Sequence, residues 1–208
     1  MKLLDKIRAP KGGGIEEYVA TLISGKKVVR LNVGCGTDYK KDWINIDNNS
    51  DDNIEKFDLN WDLRNPLPFK DESVDYIFNE HFIEHLTIEE SQRSIKDFMR
   101  VLKPGGVMRI AMPNLEDSIE IYLDKNWKKR SLIKDHGLDF VETPAELLNM
   151  SFSWWGHKWI YDWTELQRRL KQAGYDNLKR CKHSLSSHKD LKGLETRKMS
   201  TLIVEVTK

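Results

Sequence analysis

The chain has 208 residues, 39% of them hydrophobic and 32% charged, with a mean hydropathy of -0.62. That is enough chain to bury a sizeable core, and too many apolar residues for a disordered protein. No apolar run approaches the roughly 20 residues of a membrane-spanning helix. A formal charge of +1 argues against a protein built to grip nucleic acid. Acidic residues are in excess up to residue 119 and basic ones beyond it, a bias in the second half that would favour an anionic substrate. The opening MKLLDKIRAP mixes Lys2, Asp5, Lys6 and Arg8 among its apolar residues, so no signal-peptide core is expected. Two cysteines, Cys35 and Cys181, make neither a disulfide framework nor a four-thiolate metal site, and the expected compartment is cytoplasmic.

In chain order, KGGG at 11–14 reads as a flexible lead-in. A short helix follows, patterned on Ile15, Val19, Leu22 and Ile23 and stopped by Gly25. Residues 28–33 form a strand running into Gly34-Cys35-Gly36, residues 43–46 a second strand ending at Asp47, and residues 54–59 a third candidate. The link from Gly36 to Trp43 is short for a crossover helix and predicts a single turn. Residues 74–78 are a fourth strand. An amphipathic helix over 87–102 then stops at Lys103-Pro104-Gly105-Gly106, and residues 107–112 make a fifth strand. Residues 114–160 are irregular in pattern and rich in aromatics. A helix over 164–173 ends at Gly174, and 178–184 with 201–207 suit an antiparallel closing pair. Strands alternating with helices predict an α/β fold with a mainly parallel sheet.

The sharpest local signal is LNVGCGTDY, a strand opening into Gly34-x-Gly36 at the edge where open α/β sheets bind ligands. A tight turn without a ligand is the plain alternative. A dinucleotide fingerprint would place a third glycine at 39, where Tyr39 stands, and an acid about 20 residues on. Here the acid, Asp47, follows Gly36 by eleven residues, and no Gly-Lys-Ser/Thr phosphate loop is present. The loop therefore suits a ribose-bearing ligand with no pyrophosphate to cradle.

LNVGCG, the acid of INID, DLRNPLPFKDESVDYIFNEHFIEHL, LKPGGVMRIAMPNLED and HKWIYDWTELQRRLKQAGY come in that order. Together they resemble the class I S-adenosylmethionine (SAM) dependent methyltransferases over about residues 28–208. The chain looks most like a bacterial and archaeal group of small methyltransferases associated with surface-glycan or small-molecule modification. The resemblance implies one Rossmann-like domain with a seven-stranded, mainly parallel sheet, an antiparallel last strand and a substrate-side cap inserted at about 114–160. It implies that Gly34, Cys35 and Gly36 pass under the amino-acid end of SAM. Asp47 would accept from the ribose hydroxyls, and Asn48 would flank the adenine. Asp62 would take the adenine amino group beside the Leu63 N–H, and Asn79 and Glu80 would line the methionine portion. Two departures stand out: Asn32 where many relatives carry an acid, and Asp38 in place of a third glycine.

His81-Phe82-Ile83-Glu84-His85 spells H-x-x-E-H, the pattern of an inverted zinc-protease site. No third ligand is marked by spacing, so no metal is expected, and His85 is expected to pack beneath the sheet edge. His81 is a substrate-side candidate. Residues 152–163 hold four of the seven tryptophans, either as core beneath an insertion or as a cap in which His157 and Tyr161 orient the acceptor. The expected reaction is methyl transfer to a small molecule or glycan, without nucleic acid and without a membrane span. The rivals are a non-catalytic SAM sensor and an NAD-dependent reductase, the latter disfavoured by Tyr39 and the missing Tyr-x-x-x-Lys pair.

Overall fold

The computed structural model describes residues 14–48, 56–135 and 137–208. Seven strands form one sheet in the order β3-β2-β1-β4-β5-β7-β6: β1 Arg30–Val33, β2 Ile44–Asp47, β3 Leu59–Asn60, β4 Val74–Glu80, β5 Leu102–Met112, β6 Asn177–Cys181 and β7 Leu202–Thr207. β1 to β5 pair in parallel, and β7 lies antiparallel between β5 and β6. The strand expected at 54–59 begins only at Leu59, and residues 49–55, like most of the lead-in at 11–14, lie outside the described residues. Residues 37–43 make turns and no helix, as the short link requires.

One face of the sheet is covered by α1 Ile15–Ile23, α2 Ile88–Val101 and, beyond the cap, a later helix at Trp163–Gln172. α2 shows why sequence reading works best for such helices. Thr87 caps it by accepting from the Glu90 N–H while Glu90 bonds back to Thr87, and Ile95, Phe98 and Val101 are buried along one stripe. Past α2 the expected break at 103–106 is instead part of β5. The pairing jumps from Val74–Leu102 to Tyr76–Val107, so the Pro-Gly-Gly run bulges without leaving the sheet. The other face is covered by a smaller cluster of Trp43, Phe78, Val107, Ala111, Leu191 and Ile203, in which Leu191 comes from the β6–β7 connection.

That connection is held by buried charge. Arg109, fully buried in β5, bonds Glu195 through Nε at 2.5 Å, Glu205 at 2.6 Å and the Leu185 carbonyl at 3.0 Å. Glu80 holds it a second time, accepting from the Thr196 N–H and Oγ1, the Arg197 N–H and the Ser200 Oγ. Burial alone would raise the Glu80 pKa, but these donors outweigh it and hold the carboxyl below its usual range.

Residues 114–160 are not irregular. They contain α3 Leu115–Leu123, α4 Ser131–Asp135 and α5 Pro144–Ser153, with α6 then the Trp163–Gln172 helix named above. These cap helices have their own core of Ile121, Trp127, Ile133, Leu138, Val141, Leu147 and Met150. Among the described residues no helix is long and apolar enough to cross a membrane. Arg109→Met should destabilise the chain by about 3–5 kcal/mol, because two buried carboxylates lose their cation; a thermal or urea melt within 1 kcal/mol of the parent would show that the triad is replaceable.

Candidate active site

The carboxyl ends of β1, β2, β4 and β5 open onto one edge, and the sequence-predicted residues gather there in two groups. Gly34 and Gly36 both adopt left-handed φ angles of 69° and 51°. At Gly34 a side chain is also sterically barred, since an added Cβ would meet the Phe82 ring at 2.7 Å. The turn is pinned to β2: the Gly34 and Cys35 N–H groups donate to the Ile46 carbonyl, and Gly36 N–H donates to Asp47 Oδ2 at 2.7 Å. The other Asp47 oxygen accepts from the Asn48 N–H at 2.7 Å. Asp47 thus shapes the glycine turn, a role that sequence reading did not assign. Asn32 serves the loop itself. It is buried, its amide donating to the Asp38 carbonyl and to Asn45 Oδ1, and so braces the loop from beneath.

Cys35 lies in the turn with its thiol pushed up to about 12, chiefly by burial and further by the nearby Asp47, which disfavours the thiolate. Asp62 is engaged by Arg64 at 2.6 Å, whose hydrogen bonds lower its pKa, and Leu63 is buried with its carbonyl accepting from Ser94. Asn79 is fully buried, and neither its amide nitrogen nor its oxygen has a partner among the described residues. An orphaned donor and acceptor at the end of β4 fit a ligand that offers both, as the aminocarboxylate of SAM does. Glu80, by contrast, spends its hydrogen bonds on residues 196–200.

Beside this loop lies a cavity of about 400 Å³. Its walls are His81 and His85 after β4, Asn114, Asp117 and Ser118 at the start of α3, Leu147 and Ser151 of α5, and Arg197 and Met199 of the β6–β7 connection. His85 therefore faces the cavity instead of packing beneath the sheet, and burial lowers its pKa. The aromatic segment does not form a buried core: Trp154, Trp155 and Trp159 are all exposed, and of the segment Trp155 and His157 line the cavity.

Tyr161 is not at the cavity. The backbone from 157 to 161 is not helical, so the expected i, i+4 alignment with His157 does not arise. The phenol is fully buried 2.8 Å from Ser91 Oγ, and burial pushes its pKa up to about 12 against the pull of that hydrogen bond. Its backbone pairs with Asn114 and accepts from the Leu115 N–H, which fixes where the cap leaves the sheet.

Residues 35–110 match the family described as a methyltransferase domain. A 42-residue stretch is 43% identical to an uncharacterized protein of Haemophilus influenzae, covering 20% of this chain and 17% of that protein's length. Among solved structures, the chain is similar to an SAM-dependent methyltransferase of Archaeoglobus fulgidus (TM-score 0.51, 18% identity, 93% of this chain and 94% of that one). It is also similar to one of Thermotoga maritima described as a possible histamine N-methyltransferase (TM-score 0.50, 15% identity, 93% and 88%). At such identities these two speak for the fold. Together with the domain match over residues 35–110, they show that the chain has a Rossmann-like fold of the kind seen in SAM-dependent methyltransferases.

Asp47→Ala should weaken SAM binding by about 2–4 kcal/mol, since charge-assisted hydrogen bonds and the hold on the glycine turn are lost together. Calorimetry on the folded variant checks this, and parental affinity would remove Asp47 from the cofactor site.

Proposed function

We propose that this chain transfers the methyl group of SAM to a small-molecule or glycan acceptor held in the cavity beneath the cap. The observation that carries the reading is adjacency: the glycine turn follows β1 and the cavity-lining His81 follows the neighbouring β4, so both open on the carboxyl edge of one sheet. A cavity of about 400 Å³ is in the ordinary range for small ligands, and its walls mix apolar Ile121, Leu138 and Leu147 with polar Asn114, Asp117 and Arg197. Such a lining suits an acceptor with hydroxyl or carboxylate groups better than a protein surface or a duplex.

In this reading Gly34, Cys35 and Gly36 pass under the amino-acid end of SAM, Asp47 and Asn48 meet the ribose and adenine, and Asp62 and Leu63 take the adenine edge. Asn79 faces the methionine portion. When bound, SAM supplies a methyl group on a sulfonium, already an activated electrophile. What remains for the protein is to hold the acceptor oxygen or nitrogen in line and to keep water out, tasks that fall to the cap helices and Trp155. His81, His85 and His157 are the cavity groups able to accept a proton from a hydroxyl acceptor. Free Cys35 and Cys181 fit a reducing, cytoplasmic setting.

Turnover with methyl-labelled SAM against a panel of sugars, sugar acids and small amines tests the proposal. Transfer of label to at least one acceptor is expected. Binding of NADH in place of SAM would overturn it, and SAM binding with no turnover on any acceptor would point to a sensor. Tyr161→Phe separates the cavity from its support. We expect a loss of about 0.5–1.5 kcal/mol in stability, because one buried hydrogen bond goes while the Ser91 hydroxyl keeps its bond to the Ile88 carbonyl, with turnover per folded molecule unchanged. A folded, stable Tyr161→Phe variant with tenfold lower turnover would return the phenol to the reaction.

A further inference from the structure

We infer that His81, Glu84 and His157 form a site for one divalent transition-metal ion, with an open coordination position toward the cavity. Spacing in the sequence marks only H-x-x-E-H, and the expectation of no metal rested on a missing third ligand. The fold supplies that ligand from 73 residues away: ligand atoms of His81, Glu84 and His157 all lie within 4.8 Å of one another.

Each member is prepared for an ion in its own way. Glu84 is 1% exposed, and neither carboxylate oxygen receives a hydrogen bond among the described residues. A buried carboxylate left without donors is costly unless a positive charge stands beside it. Its nearest candidate is His81 Nδ1 at 3.2 Å. Two ligands about 2.0–2.2 Å from a common tetrahedral ion stand about 3.3 Å apart, so this pair already has the spacing of a coordination edge. His81 Nε2 is also buried without a partner, and the residue is held at a left-handed φ of 53° by the Ala111 carbonyl accepting its N–H.

His157 has the complementary preparation. Its Nδ1 lies 2.9 Å from the Ser151 carbonyl. A carbonyl only accepts, so Nδ1 carries the hydrogen and Nε2 keeps its lone pair, which is how a second hydrogen bond fixes the tautomer of a ligating histidine. The widest pair need draw in by no more than about 1.5 Å to reach a tetrahedral edge, a distance side-chain rotation covers.

Two imidazoles and one carboxylate suit zinc, iron(II), cobalt or manganese, whereas magnesium and calcium prefer all-oxygen sites. Three protein ligands leave a fourth position open, the arrangement of reactive and not structural sites. His81 and His157 both line the cavity, so that position faces whatever the cavity holds. That it receives an oxygen of the methyl acceptor rests on the methyl-transfer reading; the ion site itself does not.

The test uses the untagged full chain, stripped with a chelator, then titrated with Zn²⁺ by calorimetry and with Co²⁺ by visible absorption. SAM binding is measured on the same preparation. We expect one Zn²⁺ per chain and a Co²⁺ spectrum of low-coordinate N/O type. His157→Ala and Glu84→Gln should each weaken Zn²⁺ by at least about 100-fold, since even partners of ligands cost 10–100-fold. Cys181→Ser, which removes the thiol near His183, should leave binding unchanged. Circular dichroism confirms folding of each variant, and half-buried His157 is the substitution more readily tolerated. Absence of Zn²⁺ binding at millimolar metal, or parental affinity in folded His157→Ala, overturns the site and leaves Glu84 with His81 as its neighbour. A chain that binds SAM but no metal loses this inference and keeps the methyltransferase reading. A chain that binds metal but no SAM does the reverse.

Discussion

The Glu84 carbonyl accepts two backbone hydrogen bonds, from Lys158 N–H at 2.8 Å and Trp159 N–H at 3.2 Å. The returning end of the cap is thereby clamped onto the turn that follows β4. Without this clamp His157 would have no fixed relation to His81 and Glu84, and the cavity would lose the wall formed by Trp155. Packing reinforces it: Gly156 lies against the His85 ring, where an added Cβ would make ordinary contact at 3.6 Å, and its left-handed φ of 79° is what favours glycine there. The His85 and His157 rings meet edge to face with centroids 5.0 Å apart. A backbone bond is a sound anchor for such a site, because it does not depend on the side chains it positions.

Much of the sheet half was legible because its signals are local. Glycines that need left-handed backbone, a capping box opening α2, and short β-branched runs each report their own conformation without help from distant residues. The cap was misread for the opposite reason. Its helices bury single stripes against one another and expose much of their surface, as Tyr122, Leu123 and Phe152 show, so their hydrophobic periodicity is weak. One signal was available: Thr143-Pro144 with Glu146 three residues after Thr143 is a helix start, and Thr143 does cap α5. The pairing of His157 with His81 and Glu84 carried no sequence signal, since it depends on a backbone clamp between segments that only the fold brings together.

Glu80 illustrates how a correct location can hide a different task. The resemblance puts it beside the methionine of SAM, and it does stand at the end of β4 next to Asn79. Its carboxylate, however, is turned to the β6–β7 connection, where four donors converge on it. The consequence reaches the cavity, because that connection carries Arg197 and Met199 into the wall. Together with the Arg109 triad, Glu80 turns a long loop into a rigid side of the site. In this fold, helices on one face and a pinned loop on the other do the work that helices on both faces would otherwise share.

Buried carboxylates make the final comparison. Glu195 and Glu205 are balanced by Arg109, and Glu80 by four hydrogen-bond donors, so the chain has two ways of sheltering an anion and uses both within one sheet. Glu84 has neither. It lies as deeply as these others, yet no lysine or arginine pairs with it among the described residues, and its only close partner is an imidazole. A fold that gives three buried carboxylates a cation or several donors while leaving Glu84 without either, beside histidines that line a cavity, leaves room there for a charge from outside the chain.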